Sequence, residues 1–150
     1  MTTSENGTLR PLAEFALSSR PGNEREAMER VAEVVEALRI PRKRLDRLKT
    51  AVAEATMNAM EHGNEYREEL MVGVEVLASD TEVAVRITDE GGGPAEISPQ
   101  IPDLAAKLGG GQTPRGWGLF LIQNMVDELR VTGDELRHTI ELVLRLNGGE

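Results

Sequence analysis

The chain has no cysteine and few aromatic residues: one tryptophan, one tyrosine and two phenylalanines among 150 residues. The absence of cysteine excludes disulfide bridges, thiolate nucleophiles and zinc–thiolate sites. The hydrophobic core must therefore consist mainly of valine, leucine, isoleucine, alanine and methionine. No apolar run reaches membrane-spanning length, and the N-terminal residues lack the apolar segment of a secretory signal. These absences make a cytoplasmic protein with no membrane partner the expectation.

Basic residues are also few: the chain has 17 basic and 26 acidic residues, and its formal net charge is -9. Nucleic-acid binding depends on lysine and arginine that neutralise phosphates, so we expect no direct nucleic-acid partner. A local nucleotide site or a basic patch on a protein partner remains compatible with this charge. The 39% hydrophobic and 29% charged residues are typical of a globular domain. We expect a flexible N-terminus at residues 1–9 and one domain at 10–150.

Hydrophobic periodicity predicts an ordered series of strands and helices. The series comprises an edge strand at 11–17, helices at 23–38 and 42–62, a hairpin at 70–78 and 82–90, a loop at 91–115, a helix at 118–129 and a hairpin at 129–146. Asn23 and Glu26 have the spacing of a capping box. Gly63, after His62, has the position of a C-terminal glycine stop. The series predicts an α+β two-layer sandwich, in which helices cover one face of a mixed, mostly antiparallel sheet.

The second predicted helix carries a polar stripe opposite its apolar face. Glu54, Asn58 and Glu61 are spaced by four and three residues and share that stripe. A carboxylate and an amide one turn apart can offer oxygens to a hard cation or to a proton donor. A solvated helix face is the alternative interpretation.

The stretch DEGGG, residues 89–93, follows a predicted strand. Asp89 can accept a hydrogen bond from an amino group such as that of adenine. Gly91 and Gly93 would let the backbone come close to the ring. The alternative is an ordinary turn rich in aspartate and glycine.

The stretch RGWGLF, residues 115–120, is predicted to begin a helix. The free N–H groups and the positive dipole end of a helix N-terminus suit a phosphate. Gly116 and Gly118 leave room for phosphate oxygens, and Arg115 can pair with a terminal phosphate. The preceding GGGQTP lacks a hydrophobic pattern and predicts a mobile lid. A glycine-rich connector is the alternative.

In this order, the three stretches resemble the nucleotide-binding boxes of the ATP-binding fold shared by gyrase, Hsp90, histidine kinases and MutL. The first box reads EATMNAMEHGN, and the last continues as RGWGLFLI with MVDEL downstream. These forms and the short chain most resemble the small serine/threonine kinases that act as bacterial anti-sigma factors. The resemblance spans about residues 10–146.

The resemblance implies a role for each box residue in binding ATP. Glu54 would be the general base, and Asn58 would coordinate the Mg²⁺ that bridges the phosphates. Asp89 would bind the adenine amino group beside Gly91 and Gly93. The phosphates would be held by the residues that begin the last helix: Arg115, Gly116, Trp117, Gly118 and Leu119.

The resemblance also implies an activity, partners and a supporting residue. Thr139, at the start of the last strand, would support Asp89 through water. The reaction would be phosphoryl transfer from Mg·ATP to a serine or threonine of an anti-sigma-factor antagonist. A sigma factor would be the second partner, the kinase would be a homodimer, and the setting would be transcription regulation in a stress response.

Two alternatives remain open at this point. The first is a regulatory module that keeps the nucleotide pocket but acts by binding a partner, with little kinase activity. The second is a kinase of the same fold that switches a different signalling module. A histidine kinase is disfavoured because no phosphoacceptor helical hairpin is evident.

Overall fold

The structure is a computed structural model that describes residues 8–91, 122–133 and 137–146. Its helical elements are α1 (Asn23–Val34), a 3₁₀ turn (Glu36–Leu38), α2 (Arg42–Asn58) and a π-helical turn (Ala59–Gly63) that continues α2. Its strands are β1 (Arg10–Ser18), β2 (Met71–Ala78), β3 (Glu82–Thr88), β4 (Glu128–Gly133) and β5 (His138–Arg145). Among these described residues, no helix is long and apolar enough to cross a membrane.

The strands form one sheet in the order β1-β2-β3-β5-β4. Every pairing between the described strands is antiparallel. The predicted α+β architecture is confirmed, and β1 is an edge strand as expected. β3 pairs with β5 and not with β4, so the β4–β5 hairpin places its second strand inside the sheet.

One face of the sheet packs against α1 and α2. The inward positions of β2 are Val72, Val74 and Val76, which alternate along the strand as the two-residue period requires. They belong to one buried cluster with Leu48 and Val52 of α2 and with residues of β3, β5 and α1. The other face carries polar residues and a small separate cluster. Burial of branched aliphatic side chains stabilises this layer by about 25 cal/mol per Å² of apolar surface.

The start of α1 differs from the predicted capping box. Gly22 precedes the helix with a φ of 105° and no side chain caps it. The Asn23 amide donates instead to the carbonyl oxygen of Ser18 at 2.9 Å. The prediction for Asn23 and Glu26 is therefore wrong, because the amide ties the helix to the end of β1.

The predicted helix lengths need correction at three ends. α1 ends at Val34, and residues 36–38 form a 3₁₀ turn. The helical backbone that begins as α2 does end near Gly63, but its last residues form a π-helical turn without the positive φ of a glycine stop. The helix predicted at 118–129 is too long, because residues 122–123 are helical whereas β4 begins at Glu128.

Candidate functional site

The outer face of α2 presents the polar stripe. Glu54 and Asn58 are half-buried, whereas Glu61 is exposed. Leu48, Val52 and Ala55 are fully buried on the opposite face. The helix is thus fixed by its apolar face while Glu54 and Asn58 remain one turn apart at the surface of the domain.

Glu54 has a perturbed carboxyl group. Burial, and secondarily the negative charge of Glu24, raise the pKa of Glu54 above its ordinary value of 4.5. Both causes disfavour the ionised form. A carboxylate with a raised pKa holds a proton more readily, which suits a general base that works near neutral pH.

Asn58 carries a buried amide nitrogen without a partner. Its Nδ2 makes no hydrogen bond, although buried polar groups in folded proteins are almost always paired. The amide oxygen and nitrogen exchange places on a 180° rotation. This side chain can therefore offer either an oxygen to a cation or an N–H to a phosphate.

Asp89 lies directly after β3 and is only 5% exposed. Its backbone N–H donates to the carbonyl oxygen of His138 at 2.9 Å. Its Oδ1 accepts the N–H of Gly91 at 3.0 Å and lies 3.3 Å from His138 Nδ1. The buried carboxylate is thus held in one orientation.

The π-helical turn brings the end of α2 against Asp89. A methyl group built on Gly63 would overlap the Asp89 carboxyl group, and one built on Gly91 would overlap the Gly63 carbonyl. A π turn widens a helix locally and is frequent at functional sites. The helix that carries Glu54 and Asn58 therefore meets the strand end that carries Asp89.

Asn64 joins four segments of the chain and is only 1% exposed. Its Nδ2 donates to Ser19 Oγ at 2.8 Å and to the Met71 carbonyl oxygen at 3.1 Å. Its Oδ1 accepts the N–H of Glu90 at 2.8 Å. The end of α2 is thereby tied to the ends of β1, β2 and β3. No local signal in the sequence predicts this role, although Asn64 is the last residue of EATMNAMEHGN.

Thr139 and His138 lie on opposite faces of β5. Thr139 shares a 2.8 Å hydrogen bond with the hydroxyl of Thr88. His138 is on the face that carries the buried Ile140 and Leu142 and contacts Asp89. Support of Asp89 by Thr139 through water stays a prediction. The direct contact with Asp89 comes from His138. No role for His138 was predicted from the sequence.

The described part of the site therefore consists of Glu54, Asn58, Asp89 and Gly91. The remaining predicted residues lie outside the described residues, and their roles stay predictions: Gly93, Arg115, Gly116, Trp117, Gly118 and Leu119. The lid predicted before Arg115 lies there too.

Residues 17–144 match the model of the histidine kinase-like ATPase domain. An anti-sigma F factor of Clostridium botulinum is 32% identical over 92 residues, which are 61% of this chain and 64% of that protein. The matched part is thus less than two thirds of that relative. An anti-sigma F factor of Pasteuria penetrans is 32% identical over 119 residues, which are 79% of either protein.

The fold also matches a solved structure, that of the RsbU and RsbW domains of a Mycobacterium tuberculosis protein. The TM-score is 0.65 at 19% identity, over 91% of this chain and 32% of that one. At this identity the match is one of fold.

Proposed function

This chain belongs to the histidine kinase-like ATPase domain family, and from that premise we propose that it is an anti-sigma factor with Mg·ATP-dependent serine/threonine kinase activity. It phosphorylates a small anti-sigma-factor antagonist, binds a sigma factor and acts as a cytoplasmic homodimer. The relatives named anti-sigma F factor support this choice within the family.

The observation that carries the proposal is the arrangement around the end of α2. Glu54 has a raised pKa, Asn58 has an unpaired buried amide nitrogen one turn further, and the same helix ends against Asp89. A solvated helix face explains neither the unpaired amide nor the contact with a buried carboxylate.

The side chains present fit both ATP and Mg²⁺. Mg²⁺ usually takes one or two protein oxygens and completes its shell with waters and phosphate oxygens, so the Asn58 amide oxygen suffices. When bound, the ion neutralises negative charge that develops on the transferred group. The Asp89 carboxylate, whose orientation is fixed, accepts a hydrogen bond from the adenine amino group.

Glu54 takes the proton in the transfer step. The substrate hydroxyl oxygen bonds to the γ-phosphorus, the bond from that phosphorus to the bridging oxygen breaks, and ADP leaves. The hydroxyl proton passes to the Glu54 carboxylate. Beyond this transfer, the protein positions the reactants and balances charge.

Glu54→Gln separates chemistry from binding. A positioned general base contributes roughly 10²–10⁴-fold in rate, so phosphate transfer from labelled ATP to the co-purified antagonist should fall by about that factor. ATP affinity by calorimetry should be retained. Asp46→Asn is the matched control, because Asp46 is an exposed acid on the same helix.

Three other outcomes would be informative. Transfer at the wild-type rate in Glu54→Gln would refute the assignment of the base. A wild-type protein that binds ATP and its partner but transfers no phosphate would indicate a regulatory binding module. Transfer to a partner unrelated to any sigma factor would indicate a kinase that switches a different signalling module.

A further inference from the structure

We propose that Gly63 is a positioning residue for adenine recognition, because its missing side chain leaves the space that the Asp89 carboxylate occupies. This role rests on the proposed binding of ATP through Asp89. It assigns a function to a residue that the sequence predicts only as the stop of a helix.

Gly63 is not needed for backbone freedom. Among the described glycines, only Gly22 has a positive φ, so an alanine could adopt the backbone conformation of Gly63. Space is the constraint instead. The three atoms nearest to a methyl group at this position are Oδ2, Cγ and Cβ of Asp89, and all three would be too close.

The backbone that carries Gly63 is fixed on both sides. The N–H of Asn64 donates to the carbonyl oxygen of Ala59 at 2.9 Å, and the N–H of Tyr66 donates to that of Met60 at 2.7 Å. The Asn64 side chain adds its bonds to Ser19, Met71 and Glu90. A new methyl group therefore cannot be accommodated by a free movement of the helix end.

The Asp89 carboxylate is the part that must move. Its Oδ1 is held by the N–H of Gly91 and lies beside His138, and its Oδ2 faces Gly63. A methyl group on Gly63 would push the carboxylate out of this position and break its alignment. A misplacement of about 1 Å can reduce activity by roughly 10²-fold even when the changed residue is remote from the chemistry.

The chain offers a matched control. Gly73 lies in β2, and a methyl group built there meets nothing within 4 Å. Gly63→Ala and Gly73→Ala are to be titrated calorimetrically with ADP in the presence of Mg²⁺. We expect affinity for ADP to fall by about tenfold or more in Gly63→Ala, because loss of a hydrogen bond to a charged group changes an equilibrium constant by at least that order, and to stay at the wild-type value in Gly73→Ala.

A double-mutant cycle tests whether the effect passes through Asp89. Asp89→Gly removes all three overlapping atoms, so Gly63→Ala should cause no further loss of ADP affinity in that background. A further loss as large as in wild type would overturn the inference, as would wild-type affinity in Gly63→Ala. If Gly63→Ala does not fold, adding Asp89→Gly should restore folding, and a failure to restore it would also overturn the inference.

Asp89→Asn distinguishes this inference from the proposed function. If Asp89→Asn binds ADP like wild type, the adenine contact itself is refuted. If Asp89→Asn loses affinity and Gly63→Ala does not, only the positioning role is refuted.

Discussion

The His138 side chain contacts the Asp89 carboxylate directly, with Nδ1 3.3 Å from Oδ1. An asparagine amide can place a donor where Nδ1 lies, whereas leucine cannot. We expect His138→Leu to raise the KM for ATP with little change in kcat, and His138→Asn to stay near wild type. Steady-state kinetics of both variants measure KM for ATP and kcat separately.

Thr139→Val is the variant to compare with His138→Leu, because the family resemblance implies that Thr139 supports Asp89. Its hydroxyl bonds to Thr88 on the other face of the sheet, so we expect a smaller effect on KM than in His138→Leu. The reverse order of effects would show that Thr139 supports Asp89 and that the His138 contact does not matter.

Glu24 affects the pKa of Glu54, the residue that we propose as the general base. Its charge helps burial to raise the pKa of Glu54, so Glu24→Gln should lower that pKa. The acid side of the kcat profile, where the base becomes protonated, should then move to lower pH. Glu26→Gln is the control, because Glu26 is on the same turn but is not a cause of the shift. If the pH profile of kcat does not move in Glu24→Gln, the expected effect of Glu24 on the pKa of Glu54 is contradicted.

The raised pKa of Glu54 also bears on stability. The folded protein holds this proton more tightly than the unfolded chain does. The resulting stabilisation is fully present below the ordinary value of 4.5 and is lost as the pH rises through the folded-state pKa. Above that pKa the ionised Glu54 opposes folding, which is the usual conflict between function and stability at a group with a proposed catalytic role.

Sequence could indicate Glu54, Asn58 and Asp89 because each lies in a short local pattern. It could not indicate the roles of Asn64 and His138, because those roles arise from contacts between remote segments. Asn64 reaches Ser19 across 45 positions and Glu90 across 26. No local spacing records such a contact.

Among the strands, β5 links its two neighbours through one half-buried carboxylate, that of Glu141. Glu141 accepts hydrogen bonds from Arg86 of β3 at 2.8 Å and from Arg130 of β4 at 2.9 Å. Burial alone would raise the pKa of Glu141, but the two arginines outweigh it and the pKa is lowered. The stability that Glu141 contributes is therefore present at pH values above its ordinary pKa of 4.5. It is lost as the pH falls through the folded-state pKa.

Glu141→Gln should lower the free energy of unfolding near neutral pH by about 1–3 kcal/mol, since it weakens two charge-assisted hydrogen bonds. The difference from wild type should shrink at about pH 3, where carboxylates are largely protonated. Urea unfolding at both pH values measures this. Glu128→Gln, which changes a more exposed partner of Arg130, should have a smaller effect. Equal losses of unfolding free energy in the two variants would contradict the role of Glu141 in linking the strands.

At the level of elements, alternation located the hairpins well, whereas helix ends were less predictable. The helix predicted at 118–129 overlaps the first two residues of β4, but Leu129 packs against the core from a strand. The π-helical turn at Ala59–Gly63 likewise lies where α2 meets Asp89. Tertiary contacts decide both cases, and the local periodicity contains no record of them.

At the scale of the whole molecule, the described residues form two layers, and the described part of the site lies where several element ends meet. The ends of β1, β2, β3 and α2 converge on Asn64. The order of elements and the resemblance together predicted this architecture. The order of strands in the sheet was not predictable, because nothing in the local pattern of β3 or β5 states that they pair.

The pairing of β3 with β5 has a consequence for how the chain can vary. Thr88 and Thr139 are partners although 51 positions separate them, so folding must close a long loop before this central pair forms. Loop-closure entropy grows only logarithmically, by about 0.6 kcal/mol for each doubling of length. By this entropy alone, a change in length between the two strands costs little, so natural selection can vary that length while the pairing of β3 with β5 stays the same.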